Sequence, residues 1–168
     1  MRGAWRIVLA ACGRLGFELE LTIDTPAARR CDDSFTQVAN APLRYGFKPS
    51  PVKWIEAVTT CREFGPGHSL ALPTSDDERL ALSAEARATV VERWWSGGTD
   101  RATEGTWLDP DGAPITYQPW ALGEPNDTGG QEDCLDLLAD PVEGTARTDR
   151  FDDRSCDATL PFICACSL

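Results

Sequence analysis

Apolar residues first fall into helical spacing near residue 50. Trp54, Ala57, Val58 and Cys61 share one face, and Gly65-Pro66-Gly67 ends the run. Pro51 suits a first helical turn, so the pattern predicts a helix over residues 50–64. A second helix is predicted from Thr74 and Ser75. Ser75 with Glu78 three residues later forms a capping box, and Leu80, Leu82 and the alanines through Ala88 follow. Upstream, Phe17, Leu19, Leu21 and Ile23 recur at period 2, which fits a half-buried strand or an accidental pattern in a tether. Residues 26–30 read as a linker. Beyond Val90, Trp, Thr, Gly, Pro and Asp alternate, which predicts short strands and long loops. Trp94 and Trp95 are adjacent, so a strand sends them to opposite faces and leaves one exposed for contacts. Asp109-Pro110-Asp111-Gly112 has the order of a type I turn. Helices first and strands later give an α+β domain over residues 31–168, preceded by an N-terminal segment over residues 1–30.

Composition narrows the function. The formal net charge of −11 repels phosphate backbones, which argues against nucleic acid as a partner and in favour of hard cations. Seven cysteines in 168 residues point to an oxidising compartment. Zinc is a poor alternative. His68 is the single histidine, and Cys164 and Cys166 form a C-x-C pair where zinc sites favour C-x-x-C. No apolar run reaches the about 18 residues of a membrane span. Arg2 and Arg6 followed by Ile7–Cys12 have the order of a short signal peptide, and Leu9-Ala10-Ala11-Cys12 resembles a lipoprotein box that would anchor the chain by lipid at Cys12. A misassigned start or an ordinary buried strand fits the same residues. Removal or lipidation of Cys12 leaves six cysteines, an even number. The expected location is secreted or at the cell surface.

The candidate chemistry lies in two acidic clusters. Glu124-Pro125-Asn126-Asp127-Thr128-Gly129-Gly130-Gln131-Glu132-Asp133-Cys134 is one, and Asp149-Arg150-Phe151-Asp152-Asp153-Arg154-Ser155-Cys156 is the other. Carboxylates at this density repel unless a cation neutralises them, and calcium takes six to eight such oxygens. A solvated loop with Arg150 and Arg154 as local partners accounts for them equally well on residue type alone. The Asp109 turn fails the spacing of an EF-hand. Nucleophile elbows, phosphate loops and dinucleotide fingerprints are absent from the sequence. A glycosidase would need its paired carboxylates free of calcium. The reading is a binding protein without catalysis.

From Cys31 to Leu168 the chain resembles the C-type lectin-like family. The resemblance runs in order through Trp54-Ile55-Glu56-Ala57 with Cys61, then Trp95 and Gly97 of Trp95-Ser96-Gly97-Gly98, and Glu104-Gly105-Thr106-Trp107. It continues through Glu124-Pro125-Asn126, Glu132-Asp133-Cys134, Phe151-Asp152-Asp153 in place of Trp-Asn-Asp, and Pro161-Phe162-Ile163-Cys164. It implies a disulfide-stapled α+β fold with two helices, antiparallel sheets and a long calcium-binding loop region. It implies the disulfides Cys61–Cys164 and Cys134–Cys156. Since the family's termini lie together, Cys31–Cys166 is expected as a third.

The resemblance also implies calcium as cofactor and glycans or glycoproteins as partners. Glu124, Asn126, Glu132, Asp152 and Asp153 would hold the principal ion, with Pro125 following a cis peptide bond. Asp100, Glu104, Asp127 and Asp133 would hold an auxiliary ion. Glu-Pro-Asn is the family's mark of mannose-type sugars, whose 3- and 4-hydroxyls are equatorial. One hydroxyl would donate to Glu124 and accept from Asn126. The other would meet Glu132 and Asp152, two acceptors facing one proton. The expectation is therefore weaker or reoriented mannose binding, with calcium affinity kept or raised by the extra carboxylate. The alternative is a domain of the same fold acting as a protein-interaction or structural/adhesion module. Trp107, Tyr117 and Trp120 read as packing residues.

Overall fold

The computed structural model describes residues 30–39, 41–89, 91–139 and 149–167. The alternating stretch up to residue 29, and with it Cys12, lies outside the described residues. The elements run β1 (Thr36–Gln37), β2 (Arg44–Val52), α1 (Trp54–Glu63), β3 (His68–Leu70), α2 (Asp76–Arg87), β4 (Arg93–Thr99), β5 (Cys134–Leu138), β6 (Arg150–Arg154) and β7 (Leu160–Cys166). The strands form one sheet in the order β1-β2-β7-β4-β5-β6, and β3 also pairs with β7. Every pairing is antiparallel except the short parallel contact of β4 with β7 at Trp95 and Phe162. This is the expected α+β fold with two helices.

Both helices bury the predicted faces, but α1 starts later than its proline suggested. Ser50 and Pro51 belong to β2. A proline fixes a φ that serves extended backbone as well as a first helical turn, and it pushes the preceding residue into the extended region. The helix opens instead at Lys53, whose backbone N–H donates to the Glu56 carboxylate at 3.1 Å. Trp54, Ala57, Val58 and Cys61 are buried as the spacing required. In α2, Ser75 caps the helix by accepting from the Glu78 N–H at 3.3 Å. The return half of the capping box does not form. The Glu78 carboxylate is buried and accepts from the Thr74 N–H at 2.8 Å and the Tyr45 hydroxyl at 2.5 Å.

The tryptophan pair departs from expectation. Trp94 and Trp95 do face opposite sides of β4, yet both are fully buried. β4 lies inside the sheet with apolar residues packed on each face. Trp94 joins Leu82, Leu137, Phe151 and Ile163 on one side, and Trp95 joins Trp54, Val58 and Phe162 on the other. Neither indole N–H is stranded, since Trp94 donates to Val91 O at 3.1 Å and Trp95 to Val52 O at 2.8 Å. Gly97 is required beside them, because a Cβ there would lie 2.7 Å from the Leu70 carbonyl oxygen. Trp107 and Trp120 pack edge to face at 4.8 Å. The Asp109 turn closes through the Gly112 N–H to Asp109 O at 3.0 Å.

Three disulfides staple this frame. Cys61–Cys164 ties α1 to β7, Cys31–Cys166 ties the first described segment to the end of β7, and Cys134–Cys156 joins the start of β5 to the turn after β6. That last bridge, with Cα atoms 5.1 Å apart, holds together the strands that carry the acidic clusters. Among the described residues no helix is long and apolar enough to cross a membrane.

Candidate metal centre

Among the described residues, two groups of three carboxylates converge near the start of β5. In each, one oxygen per residue lies within 4.8 Å of the others: Glu124, Asp152 and Asp153 in the first, Asp100, Glu104 and Asp133 in the second.

The first group is assembled by backbone bonds between a loop and β6. Ala121 donates to Phe151 O at 2.8 Å, and Glu124 donates back to Ala121 O at 3.0 Å, so the turn sets Glu124 beside the strand. The Glu124–Pro125 peptide is cis. Asp153 then fixes the tripeptide. Its carboxylate accepts from the Asn126 N–H at 3.0 Å and from the Asp127 N–H at 2.6 Å. The Asn126 amide donates to the Glu124 carboxylate. Burial and the neighbouring Asp152 and Asp153 charges push the Glu124 carboxyl above its ordinary range.

The second group sits where β4 meets β5. Asp100 donates its N–H to Asp133 O at 3.2 Å, and the Thr99 hydroxyl donates to the same oxygen at 2.7 Å. The Gly105 N–H reaches back to the Asp100 carboxylate at 2.9 Å and closes the loop that brings in Glu104. Asp100 is buried, and its Oδ1 has no hydrogen-bond partner. Burial pushes the Asp100 carboxyl up, reinforced by Asp133 and Asp153, and Glu104 is raised in the same way with Asp100 adding to it.

Asp127 and Glu132 stand outside both groups and brace the loop between them. Asp127, at a φ of 43°, accepts from the Glu132 N–H at 3.1 Å. Glu132 accepts from the Thr128 N–H at 3.0 Å. The Thr128 hydroxyl donates to the Asn126 side-chain oxygen. Hard, crowded carboxylate oxygens suit calcium in both places, and in the second the buried Asp100 oxygen without a partner adds to the fit.

Beneath the first group lies a charged network that the sequence reading missed. Asp136 on β5 is directly opposite Asp152 on β6. Like charges in that register repel. One Arg93 Nη1 on β4 bridges them, 2.7 Å from the Asp136 carboxylate and 2.7 Å from the Asp152 carboxylate. Arg154 adds its Nε to Asp136 at 2.9 Å. Asp136 is fully buried, and burial outweighs both arginines, so its carboxyl is pushed up to about 6. The available signal was an aspartate amid the apolar run Cys134-Leu135-Asp136-Leu137-Leu138, since a charge there demands a partner. Arg154, which the solvated-loop alternative paired within its own loop, reaches Asp136 on β5.

Residues 50–166 match the Lectin C-type domain family. A protein named lectin from Pleurodeles waltl is 30% identical over 125 residues, covering 71% of this chain and 67% of that protein. A mannose-binding C-type lectin isoform from Oxyuranus scutellatus is 32% identical over 115 residues, covering 67% and 70%. An α-N-acetylgalactosamine-specific lectin from Patiria pectinifera is 30% identical over 117 residues, covering 67% of each. Among solved structures, the C-type lectin CEL-I from Cucumaria echinata superposes with a TM-score of 0.69 at 21% identity, covering 82% of this chain and 98% of that one. A calcium-independent type II antifreeze protein shares the fold as well, with a TM-score of 0.63 at 24% identity over 84% and 97%. With the matched family spanning most of its length, the chain belongs to the C-type lectin domain family.

Proposed function

We propose that this protein is a calcium-dependent carbohydrate-binding module that takes mannose-type sugars and performs no chemistry. The observation that carries the reading is the convergence of Glu124, Asp152 and Asp153 around the Glu-Pro-Asn tripeptide. Glu124, Asp152 and Asp153 would hold the principal calcium with Asn126, and Glu132, outside that group here, would join them by turning from its contact with the Thr128 N–H. Asp100, Glu104 and Asp133 would hold the auxiliary one, with Asp127 joining them from the neighbouring loop. Calcium, when bound, offers coordination positions to two neighbouring sugar hydroxyls. The protein supplies the rest of the recognition. Glu124 accepts from one hydroxyl and the Asn126 amide donates to it, a pairing these two side chains already make with each other. Asp153 is the anchor, because its two backbone contacts keep the tripeptide against β6.

The relatives support a sugar partner and differ over which sugar, one named for mannose and another for N-acetylgalactosamine. The tripeptide order is the ground for choosing mannose. The partners are glycans or glycoproteins met outside the cell, and single sites hold sugars weakly, so avidity comes from several.

One observation favours a second reading, a protein-interaction or structural module. Asp152 stands where the sugar site would use an amide, and the fold also serves a calcium-independent antifreeze protein. A mannose column decides between them. Retention in calcium with release by chelator supports the lectin. Flow-through in the presence of calcium, by protein that still binds the ion, supports the interaction module.

A further inference from the structure

Asp152 on β6 and Arg93 on β4 are separated by one strand, β5, and meet on one face of the sheet. Arg93 is diagonal to Asp136 across β4 and β5, and Asp136 is opposite Asp152 across β5 and β6. That register lets a single guanidinium nitrogen sit 2.7 Å from both carboxylates. The Asp152 side chain is only 5% exposed and that of Asp136 is fully buried, so solvent screens the contact little.

We propose that Arg93 is the charge-matching and positioning partner of Asp152 in the calcium site, an inference that rests on the calcium reading above. Glu124, Glu132, Asp152 and Asp153 bring four negative charges toward a divalent ion, one more than a site with an amide at position 152. Arg93 offsets that extra charge from behind. It holds Oδ2 of Asp152 at 2.7 Å, on the strand that also carries Asp153. The pair is therefore co-dependent. An amide at position 152 leaves the Arg93 cation facing calcium with less to balance it, and a neutral side chain at position 93 leaves the acidic site unbalanced. This revises the expectation that the additional carboxylate by itself raises calcium affinity.

A double-mutant cycle on the full chain tests the pairing, with calcium affinity measured by calorimetry after chelator treatment. D152N is expected to weaken calcium at least ~10-fold, because it removes a ligand charge and leaves Arg93 in place. R93Q keeps a donor for Asp136 and is expected to change calcium affinity by less than ~2-fold, because the lost cation and the lost hold on Asp152 act in opposite directions. The double variant R93Q/D152N is expected to return to within ~3-fold of the parent, whereas independent effects would leave it ~5-fold or more weaker. A double variant as weak as D152N overturns the proposal. If R93Q unfolds in chelator, R93K decides. Retained charge predicts an affinity within ~3-fold of the parent, and a loss of ~10-fold or more overturns the pairing. A parent protein that binds no calcium overturns the calcium reading itself, whereas a parent that binds with no coupling in the cycle overturns only the role of Arg93.

Discussion

The two carboxylate groups each bring three residues together but have opposite surroundings. The group of Glu124, Asp152 and Asp153 is backed by Arg93, which in turn shares Asp136 with Arg154. The group of Asp100, Glu104 and Asp133 has no Lys or Arg within salt-bridge distance among the described residues, and Asp100 keeps a buried oxygen without a partner. The first is a braced site that carries part of its own counter-charge. The second is an unbalanced one whose carboxyls are raised by burial and by one another. Acidic count alone does not describe a cation site. The placement of the nearest arginine decides how much of the repulsion is left for the metal to relieve.

The sharpest way to separate the two groups is to remove an anchor from the braced one. Asp153→Asn should weaken the principal calcium by ~100-fold, and it should also lower the melting temperature in chelator, because the two backbone N–H groups of Asn126 and Asp127 lose a charged acceptor. Calorimetry and thermal unfolding read the two effects. Glu124→Gln should weaken calcium by ~10–30-fold and leave the chelator melting temperature level or higher, since it deletes a carboxylate crowded by Asp152 and Asp153. Asp100→Asn should do the reverse of Asp153→Asn in chelator. Relieving an unbalanced buried charge should raise the melting temperature by ~2–4 °C, with loss of the auxiliary calcium seen in the same titration.

A smaller effect comes from pH. The Asp136 carboxyl at about 6, and the raised Asp100, Glu104 and Glu124 carboxyls, all hold their protons more tightly folded than unfolded. At these four sites the folded chain binds more protons than the unfolded one, so their contribution to metal-free stability falls as pH rises from about 4 through about 6. Scanning calorimetry in chelator should give a melting temperature ~2–3 °C higher at about pH 5 than at about pH 7.5. Calcium favours the charged carboxylates and should flatten or invert that slope.

What could be read from the sequence follows the range of the physics involved. Helical faces were legible because Trp54, Ala57, Val58 and Cys61 repeat within one segment. The start of α1 was not, since the φ of Pro51 serves a strand as well as a helix. The alternation of Trp94 and Trp95 was legible, but the coverage of both faces depends on α1 on one side, α2 on the other and β7 residues on each. At the site, Glu124, Asp152 and Asp153 stand out because they lie in dense acidic segments. Arg93 does not, because it lies 43 residues from Asp136 and reaches it only through the register of β4 with β5.

Calorimetric titration of calcium into the chelator-stripped protein at neutral pH, run beside Glu124→Gln, tests the central claim most directly. The account predicts saturable binding to the parent, and in Glu124→Gln a selective loss of the principal event with the auxiliary one retained. Absence of calcium binding by the folded parent, or a Glu124→Gln variant that binds both ions as the parent does, would contradict it.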